Sequence, residues 1–462
     1  MPENQSSMQR SVTLLGAGLV GSLLAVILKK KGYPVTVYER RPDMRTASIA
    51  AGRSINLAMS TRGWKALELA GLKDDIASLA IPMYGRYLHQ PDGSTAFQPY
   101  GKNNEAIYSV SRGDLNKKLM SLAEKEGVQI LFEHRCTKVN VPENTVHIRK
   151  ENGEEFTLQA DILLGADGAF SALRTSYTMM DRVDASHHYL KHGYKELCIP
   201  PDEHGNLRME KNALHIWPRR NFMLIGLPNT DGTFTCTLFL PFEGPVSFEA
   251  LQTEADVLQF FQTHFPDAVP LMPTLIEDYF RNPTSSLITT HIQPWHYQDK
   301  SALIGDAAHA IVPFYGQGMN AGFEDCTILS ELIDTYEHNW DKILKAYDAA
   351  RKPNGDAVAQ LALLNFVEMR DKVADPKFLL RKQIEKELGK MYPDIFVSVY
   401  EMVSFTHIPY HVALSCMETQ DKLLEKIMTH SSFMEQKEDA TYRKTLDGWL
   451  EEYNQSVQQL TS

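Results

Sequence analysis

Three short segments carry residue types and spacings that suit a bound dinucleotide. Gly16-Ala17-Gly18-Leu19-Val20-Gly21 follows an apolar run and opens a helical one. Glycines at these positions permit a tight turn and the close approach of a pyrophosphate, whose charge then rests on a helix N-terminus. The next strand ends in Glu39, 21 residues after Gly18, where a carboxylate can accept from a ribose hydroxyl. Arg40 and Arg41 follow it. The second segment is Gly165-Ala166-Asp167-Gly168, with Ser171 and Arg174 beyond it, and the third is Gly305-Asp306-Ala307-Ala308-His309. Each puts an aspartate at the C-terminal end of a buried strand, where open α/β sheets bind ligands.

Asp306 can accept from a ribityl hydroxyl. Just after it, Gly316-Gln317-Gly318-Met319-Asn320 can present backbone N–H groups at a helix start, which would stabilise an anionic reduced ring at its pyrimidine edge. Taken singly, each segment also reads as a glycine turn or a loop with a capping Asp. Together, in this order, they point to a flavin. There is one dinucleotide fingerprint, so if FAD fills it, a nicotinamide cofactor binds only transiently and oxygen follows.

Other groups are candidates for a substrate. Arg86 and Tyr100 flank a turn centred near Gly93, so a three-residue hairpin loop would set them opposite each other on one face. An Arg with a phenol beside it suits a carboxylate, by a bidentate charged pair plus one donor; an ordinary exposed hairpin Arg is the other reading. Asn365, Glu368 and Met369 share one helix face, either lining a pocket or marking the polar edge of an amphipathic helix. Tyr400 reads as a pocket or a core tyrosine. His309 is expected to pack beneath the loop, and no catalytic acid, base or nucleophile is assigned. His188, His192 and Glu196 have ligand-like spacing, but the KELCI stretch reads as a strand, so no metal site is expected.

These groups need a scaffold. The 462 residues are 43% hydrophobic, enough for a large core in two or three domains. With 47 basic and 58 acidic residues the net charge is −11, and no basic run occurs, which argues against nucleic-acid or membrane-surface binding. Five scattered cysteines without a CxxC exclude a disulfide scaffold or zinc ribbon and fit a reducing, cytoplasmic compartment. The apolar run Val12–Leu28 is broken by three glycines and reads as strand, turn and helix, not as a span. The last 28 residues are polar, so no C-terminal anchor is expected.

The fold class is α/β: a Rossmann-like FAD-binding domain interleaved with an antiparallel-sheet substrate domain, followed by helices. The expected FAD-binding segments are 10–81, 102–182 and 286–330. The substrate domain takes 82–101 and 183–285, and the helical region 331–462. Residues 83–100 read as a hairpin. Asp114 reads as the cap of a helix over 114–126, and 247–265 as a helix. HGYKELCI, NALHIWP, NFMLIGLPN and TFTCTLFLP read as antiparallel strands.

The GAGLVG, GADG and GDAAHAIVPFYGQGMN segments resemble the flavin-dependent aromatic hydroxylases of the hydroxybenzoate-hydroxylase type. GRSINLA, HGYKEL, LHIWPR, FTCTLF and NAGFED narrow the resemblance to the kynurenine 3-monooxygenases. The resemblance implies FAD contacts at Val20, Glu39, Arg40, Ala58, Arg112, Asp306, Met319 and Asn320, beside Gly16, Gly18, Gly21, Asp167 and Gly318 of the motifs. It implies a kynurenine carboxylate held by Arg86 and Tyr100, with Asn365, Tyr400, Phe239, Phe314 and Met369 completing the pocket. It further implies NADPH as reductant, O2 as co-substrate, and ring hydroxylation at position 3 through a flavin C4a-hydroperoxide. Alternatives on the same scaffold are a hydroxylase of another aromatic acid, a reductase, a halogenase or an idle flavin-binding regulator.

Overall fold

A computed structural model describes residues 10–46, 56–101, 104–368, 376–430 and 433–461. Its first sheet has six strands in the order His296–Tyr297, Ser301–Leu303, Ile162–Gly165, Val12–Leu15, Val35–Tyr38 and Gln129–Leu131. All neighbours are parallel except the His296–Tyr297 edge. Val12–Leu15 and Ile162–Gly165 are buried at every residue, as strands covered on both faces must be. The helices Leu19–Lys30 and Gly318–Thr335 pack together beside this sheet, in a core that includes Leu14, Leu24, Leu163, Leu303 and Phe323. The five parallel strands are drawn from residues 12–38, 129–131, 162–165 and 301–303, with long segments inserted between them.

Those segments build a second sheet of seven strands, in the order Ser285–Gln293, Asp184–Ile199, Phe234–Pro241, Phe222–Pro228, Leu214–Arg219, Gly85–His89 and Thr95–Pro99. It is antiparallel except where Gly85–His89 joins Leu214–Arg219 in parallel, a pairing that local strand patterns do not signal. Residues 286–293, which the sequence grouping puts with the cofactor segments, pair here with Asp184–Gly193. One face is closed by the helices Glu254–His264 and Leu275–Arg281 over an aromatic core that includes Trp217, Phe234, Phe261 and Phe265.

Two local readings need correction. The helix Arg112–Lys125 is capped by Ser111, whose hydroxyl accepts from the Asp114 N–H; Asp114 supplies a first-turn carboxylate instead. The 247–265 segment is helical only over Glu254–His264, because the Thr253–Asp256 capping box starts it late.

From Gly318 onward the described residues are helical apart from short connections. No helix among the described residues is long and apolar enough to cross a membrane. The segment Val12–Leu28 divides into strand and helix as expected.

Candidate active site

A cavity of about 350 Å³ is lined by the second sheet and by the segments that follow strands Val12–Leu15, Ile162–Gly165 and Ser301–Leu303 of the first. One end is lined by Gly18, Leu19, Val20, Arg112, Ala166, Gly168 and Asp306. The glycine cradle has the expected physical reasons. A Cβ on Gly21 would lie 2.0 Å from the Gly16 carbonyl oxygen, and one on Gly16 would lie 2.6 Å from the Ala166 carbonyl oxygen. Gly18 has open space where a Cβ would stand. The helices Leu19–Lys30 and Gly318–Thr335 both begin at this cavity, and neither has a side-chain cap. Their orphan N–H groups and dipoles therefore favour negative charge there. An uncapped pair of helix starts with a glycine opening between them fits the pyrophosphate and electron-rich ring of FAD.

Glu39 is buried, and its carboxylate is fully engaged. It accepts from Ala17 N (2.8 Å), from Arg41 N and Nε (2.9 and 2.8 Å) and from Arg41 Nη2 (3.1 Å). Burial pushes its pKa up, but Arg41 and the Ala17 N–H outweigh this and hold it below the usual range. Arg40 is exposed and does not line the cavity.

Asp167 turns away as well. Its Oδ2 accepts from Ala172 N at 2.7 Å, the capping role that a lone loop Asp suggests, while Oδ1 is buried without a partner. Burial raises its pKa.

The Asn320 amide is spent on the fold. It donates to Ala58 O (2.8 Å) and Gly316 O (2.9 Å) and accepts from Ser60 N (2.9 Å). Ala58, Gly318 and Met319 line the cavity.

The other end of the cavity is lined by Arg86, Tyr100, Phe239, Phe314, Asn365 and Tyr400. Met369 lies outside the described residues. The hairpin register differs from the expected one. Arg86 pairs with Gln98, and the Tyr100 N–H donates to Tyr84 O at 3.0 Å. The turn is thus centred one residue earlier, which shifts pairing by two and leaves Arg86 and Tyr100 diagonal but on the same face. The Arg86 guanidinium carbon lies 5.4 Å from the Tyr100 ring centroid and 5.3 Å from that of Tyr400.

Among the described residues, no carboxylate lies within salt-bridge distance of Arg86. Burial opposes its charge, but Tyr400, Tyr100 and Glu368 outweigh this and raise its pKa. Burial also raises Tyr100, so the phenol stays a donor, and its hydroxyl approaches Tyr400 without the geometry of a hydrogen bond.

Asn365 Nδ2 donates to the Phe314 carbonyl at 2.7 Å and so fixes the Pro313–Tyr315 turn. Phe314 packs 5.0 Å from Phe239 and stacks 4.1 Å from Phe366.

Tyr315 lines the pocket and Phe366 stands behind it, and sequence reasoning selected neither. Tyr315 stacks on Tyr400 at 5.7 Å. Phe366 backs Phe314; its place beside Asn365 on one helix was the available signal. His188, His192 and Glu196 lie along one strand, and no metal-binding cluster occurs among the described residues.

Residues 9–191 and 282–362 match the FAD binding domain family. The chain is 48% identical to a kynurenine 3-monooxygenase of Christiangramia forsetii, over 91% of this chain and 94% of that one. It is 49% identical to one of Flavobacterium johnsoniae, over 90% and 93%. It is 47% identical to one of Dictyostelium discoideum, over 91% and 94%. Among solved structures, 2-methyl-3-hydroxypyridine-5-carboxylic acid oxygenase superposes with a TM-score of 0.65 at 22% identity, covering 80% of this chain and 95% of that one. The p-nitrophenol 4-monooxygenase of Pseudomonas putida gives 0.63 at 18%, covering 82% and 94%. The structural likeness establishes the fold. At the identity and coverage of the sequence likeness, the chain belongs to the kynurenine 3-monooxygenase family.

Proposed function

We propose that the chain binds FAD in the glycine cradle and hydroxylates L-kynurenine at ring position 3. The reaction consumes NADPH, a proton and O2 and releases 3-hydroxy-L-kynurenine, NADP⁺ and water. One observation carries the substrate assignment: Arg86 is a half-buried cation with no salt-bridge partner among the described residues, at the aromatic end of a cavity whose other end suits a dinucleotide.

FAD, when bound, would supply the redox chemistry between NADPH and oxygen. The chain positions and shields. Gly16, Gly18 and Gly21 admit the pyrophosphate, and Arg112 adds charge beside it. Asp306 would hold the ribityl chain as an acceptor, and the backbone N–H groups of Met319 and Asn320 would hold the ring. Glu39 takes the ribose hydroxyls where half-exposed Arg41 now sits. Arg86 pairs with the substrate carboxylate, and Tyr100 and Tyr400 donate to it. Phe239 and Phe314 flank the aniline ring and exclude water, which strengthens the polar contacts and protects a reactive oxygen species. The aniline nitrogen already activates its ortho carbon, so no general base is assigned. The five cysteines are free thiols, which supports a reducing, cytoplasmic setting.

The test is NADPH oxidation by the purified flavoprotein with and without L-kynurenine, with product mass determined. Stimulated oxidation with a product one oxygen heavier, hydroxylated at position 3, is expected. A FAD-bearing protein that kynurenine does not stimulate overturns the substrate assignment, and a panel of aromatic acids then follows.

A further inference from the structure

Directly behind the cofactor end of the cavity lies a buried chain of charges that the reaction does not use. Asp325 is wholly buried. Its Oδ2 accepts from the Gly305 N–H at 2.9 Å and from His309 Nε2 at 2.6 Å. Its Oδ1 accepts from Arg351 Nε at 2.7 Å. Arg351 Nη1 also donates to Glu324 at 2.6 Å, and Glu324 pairs in turn with Arg62. The two carboxylates match the two guanidiniums, as burial requires. His309 stacks on Trp295 with centroids 5.0 Å apart, and its Nδ1 is buried without a partner. Nε2 is therefore the donor to Asp325.

The position of this carboxylate matters because the neighbouring backbone has no slack. Gly305 has φ +61°, in the left-handed region. A Cβ on Gly305 would meet Val20 at 3.1 Å, and one on Gly322 would meet Val20 Cγ2 at 2.6 Å and Gly305 Cα at 3.4 Å. Three cofactor-facing segments thus converge on one spot: the helix that starts at Gly18, the turn before Asp306, and the helix Gly318–Thr335. Asp325 lies on the last and holds the second by both ends of its turn, at Gly305 and at His309.

We infer that Asp325 is a positioning residue for FAD, fixing the Gly305–Asp306 turn against the helix whose N-terminus faces the cofactor. The inference rests on the reading that Asp306 meets FAD.

Apoprotein variants are titrated with FAD by flavin fluorescence, and kynurenine affinity is measured separately on FAD-saturated protein. Asp325→Asn is expected to weaken FAD about tenfold or more, while kynurenine affinity changes less than about twofold. Glu324→Gln also removes a buried carboxylate facing Arg351 but does not touch the turn. It is expected to lower the melting temperature while leaving FAD affinity near wild type. Equal FAD losses in the two variants would reduce Asp325 to a structural ion pair and overturn the inference. If Asp325→Asn does not fold, His309→Phe and His309→Gln replace it. Loss of FAD affinity in the first and recovery in the second, which keeps an N–H donor, supports the inference; equal affinities overturn it. Asp306→Ala separates the two layers. If it leaves FAD affinity unchanged, the placement of FAD is wrong and the inference falls with it. If it weakens FAD and Asp325→Asn does not, the inference alone fails.

Discussion

Tyr100 and Tyr400 stack with centroids 5.5 Å apart and planes 17° apart, and together they flank the Arg86 guanidinium. One ring comes from the end of a hairpin and the other from the short helix Val399–Phe405. Their meeting converts an arginine on a strand into an enclosed cation beside two phenols. The arrangement yields several expectations.

Arg86→Ala should raise the KM for kynurenine about tenfold to a hundredfold, the worth of a charge-assisted contact, with a smaller change in kcat. Arg86→Lys should recover only part of this, because an ammonium cannot grip a carboxylate bidentately. Steady-state NADPH oxidation checks both, and an unchanged KM in the Ala variant would remove Arg86 from the substrate site.

Tyr100→Phe should separate stability from binding. The hydroxyl is buried without a hydrogen bond, so removing it should leave stability unchanged or raise it by up to about 1 kcal/mol. Kynurenine affinity should nevertheless fall several-fold. A stability loss with unchanged affinity would mean the hydroxyl serves the fold.

The glycine cradle predicts opposite outcomes at two neighbouring glycines. Gly21→Ala drives a methyl into the Gly16 carbonyl and should cost roughly 3 kcal/mol by urea unfolding, with loss of FAD. Gly18→Ala meets no protein atom within 4 Å. Its apoprotein should unfold within about 0.5 kcal/mol of wild type while binding FAD more weakly, because the methyl enters the cavity.

His215 predicts a pH dependence of stability. Burial drives its pKa down to about 4, helped by neighbouring His89 and opposed by its bond to the Glu210 carbonyl. The unfolded chain protonates first as pH falls, so this stability is present above about pH 6.5 and is lost between there and pH 4. The loss amounts to about 3 kcal/mol at most. Urea midpoints at pH 7 and 4.5 should therefore diverge, and His215→Gln should narrow the gap; an equal gap would assign the acid sensitivity elsewhere.

Much of this was legible in the sequence because it is local. GAGLVG lies between strand and helix by the pattern of its own neighbours, and the steric demand on Gly16 and Gly21 is set within a few residues. The alternating strands of 193–240 announce themselves in the same way. The hairpin face survived a wrong register because a shift of two preserves side-chain orientation, as a shift of one would not.

What tertiary structure alone decided are the pairings between distant segments. The sequence marked Glu39 as a ribose acceptor but could not show Arg41 already on it. It marked the backbone N–H groups around Asn320 but not the side-chain amide's bonds to Ala58, Ser60 and Gly316. Asp167 caps a turn. Tyr315 reaches Tyr400 and Phe366 backs Phe314 through contacts between distant segments, and Asp325 reaches Gly305 where two helices pack without a gap at Val20. The physical reason is common to all of them. Backbone turns and periodicity follow from neighbours along the chain, whereas a polar side chain's partner is whichever group remains unsatisfied after burial, and that is fixed by the whole fold.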